Sequence, residues 1–333
     1  MAPGKTLDNN YSLNTVDICP VGALTSRDFR FQKRVWWLSE NDSICAGCAT
    51  GCNMEIHHAE EQAYRFKPRH NDAVNAYWMC DEGRLLYKKL NTETRVRQPM
   101  VAGAPSSWEA AIEAVRARAE GADLVYVGSP HATVEELFAL RRLAEASSGT
   151  LAGYRLAGSE MAEGDDLLVS ADRTPNAEGA RRLGLAEFDA LDLSGKVVVV
   201  MQNDLAGLDS GAAEALGAAK SVIALATDTN ATTELAEVVL PIRNYAEKNG
   251  TFVNAKGRAQ ALNIALAGPE HALDAIDVLK RIAAAFGHDF AWSAAADVRT
   301  ELAATVESFA AIAGDCGPEG IDLDAPASTE VQS

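Results

Sequence analysis

The chain has 333 residues, 47% hydrophobic and 23% charged, enough for two or three domains and a sizeable core in a soluble globular protein. A formal net charge of −17 argues against binding nucleic acid or an anionic membrane surface through the chain's own charge. No apolar run reaches the roughly 18 residues of a membrane span, and the first ten residues carry no apolar signal core, so the expected compartment is the cytoplasm.

In chain order, the first notable stretch is Asp17-Ile18-Cys19-Pro20-Val21-Gly22-Ala23-Leu24. A Cys-Pro pair followed by a small-residue turn is how bacterial-type ferredoxins present the remote fourth ligand of a cluster. No further cysteine appears until Cys45, so any companions of Cys19 are not upstream in this chain; the alternative is a structural cysteine beside a turn. Asp28 to Leu38 alternates apolar and polar residues with an excess of aromatics and reads as a strand.

Cys45, Cys48, Cys52 and Cys80 then stand in a C-x2-C-x3-C-x27-C pattern. Three thiols in eight residues are too crowded to be buried singly, and a soft, all-sulfur set selects zinc or iron–sulfur. Structural zinc sites pair two C-x2-C knuckles, whereas three close cysteines and one remote are common for cubane clusters. The spacing therefore favours iron–sulfur, with zinc still open. Gly47 and Gly51 supply the backbone freedom to wrap a cluster, and amides near them are candidate donors to sulfur. Arg69, Arg84 and Lys88 are candidates to offset thiolate charge, with solvated surface charge as the alternative. His57, His58 and His70 lie between Cys52 and Cys80 and read as surface residues, since four thiolates complete the set. Met54 to Ile56 and Tyr64 to Arg69 read as short strands of a β-rich cap.

From Trp108 onward helix and strand alternate. Ser106 or Ser107 can cap a helix from Trp108 to Glu120, and Thr133 one from Val134 to Ala146 with Leu137, Leu140 and Leu143 on one face. Strands are expected at Asp123 to Gly128, Lys196 to Met201, Ser221 to Ala226 and Glu237 to Leu240, with helices at Ala212 to Ala219 and Ala275 to Phe286. This spacing implies βαβ units and a parallel sheet covered on both faces. Gly128-Ser129-Pro130 and Asn203-Asp204 follow strand ends, where open α/β sheets bind ligands, but without a phosphate-binding glycine motif they read as turns. Asp172 to Ala180 reads as a polar turn entering a helix. Asn249-Gly250, inside Ala246 to Arg258, predicts a tight hairpin or a glycine with positive φ, and Glu247-Lys248 reads as solvated. Gly314 to Ser333 reads as a disordered acidic tail with Cys316 a free thiol.

Leu13 to Ser26, the Cys45-Cys48-Cys52 array, Cys80-Asp81-Glu82-Gly83-Arg84 and Ala246 to Asn254 occur in an order that closely resembles the large iron–sulfur subunit (the G or 75-kDa type) of NADH–quinone oxidoreductase, respiratory complex I, a relative of the molybdopterin oxidoreductases. The resemblance covers roughly Leu7 to Gly287. It implies one [4Fe-4S] cluster on Cys45, Cys48, Cys52 and Cys80, of a kind thought to lie off the main electron path. It also implies that Cys19 is the last ligand of a second [4Fe-4S] cluster, one on that path. The family's ferredoxin-like [2Fe-2S] region and the three companions of Cys19 are not in this sequence, so another polypeptide supplies them or this is a truncated copy. Some 230 residues of α/β structure after Cys80 are too few to enclose a pterin, so no molybdopterin is expected.

The expected fold class is α/β, a small β-rich [4Fe-4S] domain followed by a doubly wound, molybdopterin-oxidoreductase-like region. Expected units are a remnant of a cluster domain at 1–38, the [4Fe-4S] domain at 39–100, the α/β domain at 101–290, a C-terminal helix at 291–313 and the tail at 314–333. The resemblance implies an electron-transfer and scaffold subunit with no catalytic residue of its own, carrying electrons from NADH and flavin toward quinone. Its implied place is the cytoplasmic side of the inner membrane, as a peripheral subunit. Its implied partners are other peripheral-arm subunits, including the NADH/FMN-binding subunit and a separate ferredoxin-like chain. The alternatives are an iron–sulfur subunit of a soluble NAD-linked formate dehydrogenase or hydrogenase, and a non-redox scaffold with zinc or an empty site.

Overall fold

A computed structural model describes residues 4, 7, 9–156, 162–188 and 190–325. The N-terminal segment carries a short helix, α1 (Asn14–Ile18), and then a three-stranded antiparallel sheet, β1 (Ser39–Ile44), β2 (Asn53–Ala59) and β3 (Gln62–Pro68). Two short helices follow, α2 (Asp81–Leu85) and α3 (Tyr87–Leu90). Met54, Ile56, Ala63 and Phe66 on the inner face of this sheet are at most 2% exposed and pack with Cys45, Cys52 and Met79 into a small apolar cluster.

The α/β region opens with a hairpin, β4 (Met100–Val101) and β5 (Ala104–Pro105). It continues α4 (Trp108–Ala119), β6 (Leu124–Val127), α5 (Val134–Ala146), β7 (Thr150–Gly153), α6 (Ala177–Arg182), β8 (Val197–Met201), α7 (Ser210–Gly217), β9 (Ser221–Ala226), α8 (Ala231–Leu235) and β10 (Val238–Pro241). These strands form one sheet in the order β5-β4-β10-β9-β8-β6-β7, with β10-β9-β8-β6-β7 parallel. The order reverses between β6 and β8, and a crevice opens outside the strand ends there. Buried on both faces, β8 reads Val-Val-Val-Val-Met without alternation, as parallel strands do. The element bounds expected in this region hold to within two residues. Ser107 and Thr133 cap α4 and α5 as their sequence predicts, and Thr133 with Glu136 closes a capping box.

A second hairpin, β11 (Gly250–Val253) and β12 (Arg258–Leu262), precedes α9 (Ala275–Ala285) and α10 (Ala295–Thr305). A last strand, β13 (Ile321–Asp322), pairs with β12.

Four expectations are corrected. Asp28 to Leu38 is not a strand: it forms turns and a single 3-10 turn at Val35–Trp37, because Phe31 sits at φ 66 and no neighbouring strand pairs with it. Asn249-Gly250 is not the hairpin tip. Gly250 begins β11, and the turn is Asn254 to Gly257, with Gly257 at φ 74 and the Asn254 side chain accepting from the Lys256 and Arg258 amides. Residues 291–313 are not one helix, since α10 ends at Thr305 and a 3-10 stretch, Glu307–Ile312, follows. Residues 314–325 are not a disordered tail. Cys316 is 3% exposed in the main core, β13 extends the hairpin, and Arg69 and Arg258 donate to the carbonyls of Pro318, Glu319 and Gly320. The remainder of that expected tail, 326–333, lies outside the described residues.

Candidate iron–sulfur site

The loop between β1 and β2 carries three of the four clustered cysteines, and the amide of Cys45 donating to the carbonyl of Cys52 at 2.9 Å closes it. The fourth, Cys80, is the N-cap of α2, where its sulfur accepts the Gly83 amide at 3.3 Å. All four are buried, at 5%, 7%, 4% and 8% exposure for Cys45, Cys48, Cys52 and Cys80. They line one cavity of about 810 Å3. A Cβ on Gly83 would stand 3.2 Å from both the Cys45 and the Cys80 sulfur, so those two sulfurs are no farther apart than twice that distance, and the glycine keeps the space between them open.

The loop is pinned from the α/β region. Gln260 on β12 donates to the Gly51 carbonyl at 3.0 Å and accepts from Asn53 at 2.5 Å. Asn254 donates to the Thr50 carbonyl at 3.1 Å, the Ala255 amide to the Ala49 carbonyl at 2.8 Å, and the Ala49 amide to the Asp172 carbonyl at 2.9 Å. Gly51 holds φ 63 while a Cβ there would meet Gln260 at 2.8 Å, so both backbone conformation and close approach require glycine. The cysteine loop is thus folded against residues two hundred positions downstream.

The electrostatics describe a site short of positive charge. Burial, together with the negative charge that Cys52, Cys48 and Cys80 would carry, holds the Cys45 thiol far above its ordinary range, opposed by the Gly47 amide. Burial also raises Cys52 and Cys80. A bound polycation is what such a set lacks. Four thiolates at about 2.3 Å from one zinc would hold their sulfurs about 3.8 Å apart. Among the described residues no three cysteine sulfurs lie within 4.8 Å of one another, whereas Glu40, Glu55 and His57 do offer ligand atoms at that spacing. Donor chemistry, burial, cavity and spread all fit a cubane cluster better than a single ion.

Cys19 lies apart. It lines a second cavity, of about 360 Å3, with Asp17, Leu24, Arg65, Lys67 and Arg84 and no other cysteine. The amides of Leu24 and Val21, joined by those of Ala23 and Gly22, hold its thiol below the ordinary range, the turn geometry that Cys-Pro-Val-Gly suggests.

The expected charge-offsetting cations are engaged elsewhere. Arg84 is buried against Asp17 at 2.6 Å and Asn14 at 2.6 Å, Arg69 binds Asn53 and the Pro318 carbonyl, and Lys88 pairs with Asp28. Lys89, Arg173 and His131 line the cysteine cavity instead, a placement that no spacing in the sequence announces. Of the amides expected to serve sulfur, that of Gly47 does, but that of Gly51 donates to the Cys48 carbonyl. His57 is not a surface residue: it is 2% exposed, with Nδ1 accepting from Arg65 at 3.3 Å and Nε2 donating to Glu55 at 3.2 Å. Burial and the Arg65 charge lower its pKa to about 4, so it is neutral near pH 7. His58 meets Asn41, and His70 stacks on Tyr77. None of the three histidines lines the cysteine cavity.

At the crevice between β6 and β8, Asn203 donates to the carbonyls of Gly128 and Arg155, and Asp204 accepts from the Thr232 amide and hydroxyl. These residues serve the turns, as expected, while Asn203 also lines a polar cleft of about 290 Å3 shared with Lys89, His131, Gln202 and Asp228. The expected solvated pair is a further correction. Glu247 and Lys248 are 3% and 1% exposed, bound to Arg95 at 2.5 Å and to Glu136 at 2.6 Å.

A small β domain built around a buried four-cysteine cavity, locked to a parallel α/β sheet, defines an iron–sulfur protein of the molybdopterin oxidoreductase class. Residues 38–92 match the molybdopterin oxidoreductase Fe4S4 domain, and residues 194–285 match the molybdopterin oxidoreductase family. Within that class the chain is homologous to the G-type large iron–sulfur subunit of NADH-quinone oxidoreductase. It is 36% identical over 153 residues to that protein of Pseudomonas fluorescens, covering 44% of this chain and 17% of the relative. It is 33% identical over 147 residues to that of Escherichia coli (strain K12), covering 41% and 16%. With the counterpart from Salmonella typhimurium the values are 32% over 152 residues, 43% and 16%. The matched part spans less than a fifth of these relatives' length.

Proposed function

We propose that this protein is an iron–sulfur electron-transfer and scaffold subunit of an NADH–quinone oxidoreductase, with Cys45, Cys48, Cys52 and Cys80 as the ligands of one [4Fe-4S] cluster. The observation that carries this reading is the single buried cavity lined by all four cysteines inside a matched Fe4S4 domain. When bound, such a cluster exchanges single electrons, while the protein sets its position and potential. The chain's own contribution is to hold four sulfurs apart around one space, to aim the Gly47 and Gly83 amides at them, and to exclude water through Met79, Leu86 and Leu168. No residue of the chain is assigned a bond-making role.

The proposed partners are the other subunits of the peripheral arm, including the NADH/FMN-binding one, on the cytoplasmic side of the inner membrane. Among the described residues no helix is long and apolar enough to cross a membrane. The N-terminal face supports docking to protein: Val21, Phe31, Trp36 and Trp37 are 63–92% exposed, far beyond the scattered apolar residues of an ordinary surface. Cys19 lies in this segment with its sulfur held by amides and no second cysteine in its cavity, which supports a cluster completed by three ligands from another polypeptide or another part of a longer one. The cleft at the β6–β8 crevice, at about 290 Å3, is small for a pterin dinucleotide, so the proposed cofactor set contains iron–sulfur and no molybdopterin.

The test is anaerobic purification with iron and sulfide assay. About four iron atoms per chain, absorption near 400 nm and a reducible EPR signal are expected for one [4Fe-4S] cluster. Colourless protein holding one zinc would overturn the reading in favour of a non-redox scaffold. Co-purification with a pterin or hydrogenase subunit in place of a flavoprotein and quinone-reducing partner would favour the formate dehydrogenase or hydrogenase alternative.

A further inference from the structure

The Tyr245 hydroxyl is buried without a hydrogen-bond partner, one of four such side-chain atoms among the described residues. An unpaired buried hydroxyl costs about 1–3 kcal/mol, so a site that keeps one has an acceptor for it in the working protein. The surroundings say what that acceptor is. Tyr245 packs with Cys45 and Cys52 on one side and with Ile44, Ala46 and Phe252 on the other, a lining of carbon and sulfur. The following residues turn back to hold the same cluster, since the Ala246 carbonyl accepts the amides of Ala265 and Leu266 and thereby fixes the loop that aims Tyr245. We propose that Tyr245 is a positioning residue whose hydroxyl donates a hydrogen bond to the sulfur-rich group at Cys45 and thereby raises that group's reduction potential.

This inference rests on the iron–sulfur reading above. Reduction by one electron adds a negative charge to the cluster, and an O–H dipole directed at sulfur favours the more negative state. Tyr245 is suited to remain a donor, because burial and the neighbouring Cys45 thiolate charge both hold its proton on. Amides of Gly47 and Gly83 act in the same direction from the backbone, but Tyr245 is a donor that a substitution can remove without moving the loop.

The test is an EPR-monitored redox titration of the anaerobically purified protein and of its Tyr245→Phe variant, with iron assayed in both. The expected result is equal iron and a tenfold shift of the reduction equilibrium against the reduced state, about 59 mV lower for one electron. Equal iron with an unchanged midpoint overturns the inference and leaves the iron–sulfur reading standing. Absence of iron from the wild-type protein overturns both. Should the phenylalanine variant fail to fold, a ring-fluorinated tyrosine placed at position 245, a stronger donor of nearly the same volume, is expected to raise the midpoint; no shift there overturns the inference.

Discussion

The two regions of this molecule are stabilised in opposite ways. The iron–sulfur region has a thin apolar cluster on one face of a three-stranded sheet, and its cysteine loop is held by polar contacts from Gln260, Asn254 and Asp172 of the other region. The α/β region buries whole elements: Val134, Leu137, Phe138, Leu140 and Leu143 of α5 are at most 2% exposed, between the sheet and α9 and α10. One region leans on its sulfur site and on its neighbour, and the other is a self-sufficient core. The difference teaches that the downstream hairpin does more than complete a fold, since it sets the shape of the cysteine loop.

The strongest way to break this comparison is Cys45→Ala. We expect loss of the cluster's iron together with amide-exchange protection across 41–90, while protection at 124–144 persists; unchanged iron content would refute the ligand assignment. Next comes Lys248→Met, which strands the Glu136 carboxylate in the core. Breaking a buried pair from one side costs about 3–5 kcal/mol, here read as lowered urea stability of the α/β region, and adding Glu136→Gln should recover much of it.

A smaller effect separates the regions by pH. The folded pKa of His57, lowered to about 4, means the unfolded chain binds the extra proton first, so the iron–sulfur region loses stability as pH falls from 6.5 toward 4. Asp274 behaves oppositely. Burial and the Glu136 charge raise it to about 6, against the pull of Lys248, so its native state is favoured when protonated and stability falls as pH rises from 3.8 toward 6. Asp274→Asn, which keeps the cap on α9, should therefore stabilise the α/β region at pH 7 by about 1–2 kcal/mol in urea titrations. Last, Thr133→Ala removes the capping box of α5 and should cost about 1 kcal/mol in the same measurement, without altering iron content.

How far the sequence reads depends on the range of the interaction. Helix bounds and caps at Ser107 and Thr133 were legible because a cap is made by neighbours three residues apart. The four cysteines were legible as a set because few other chemistries tolerate three thiols in eight residues, although the structure was needed to place Cys80 beside Cys45 across one cavity. Glu247, Lys248 and His57 were misread because each looks solvated in its own stretch. Their partners, Arg95, Glu136 and Arg65, come from 152, 112 and 8 positions away. The aromatic run before β1 was misread for a related reason, since alternation predicts a strand only where another strand is free to pair with it.

By itself, the sequence determined the parallel α/β texture, the helix starts and the soft-ligand character of the cysteine set, because periodicity, capping and thiol spacing act over a few residues. Only the tertiary structure decided which charges are buried, that Gln260 and Asn254 shape the cysteine loop, that Lys89, Arg173 and His131 border the cavity, and that residues 314–325 close the core. Those outcomes are contacts between distant segments, and their energies exist only once the chain has brought the segments together.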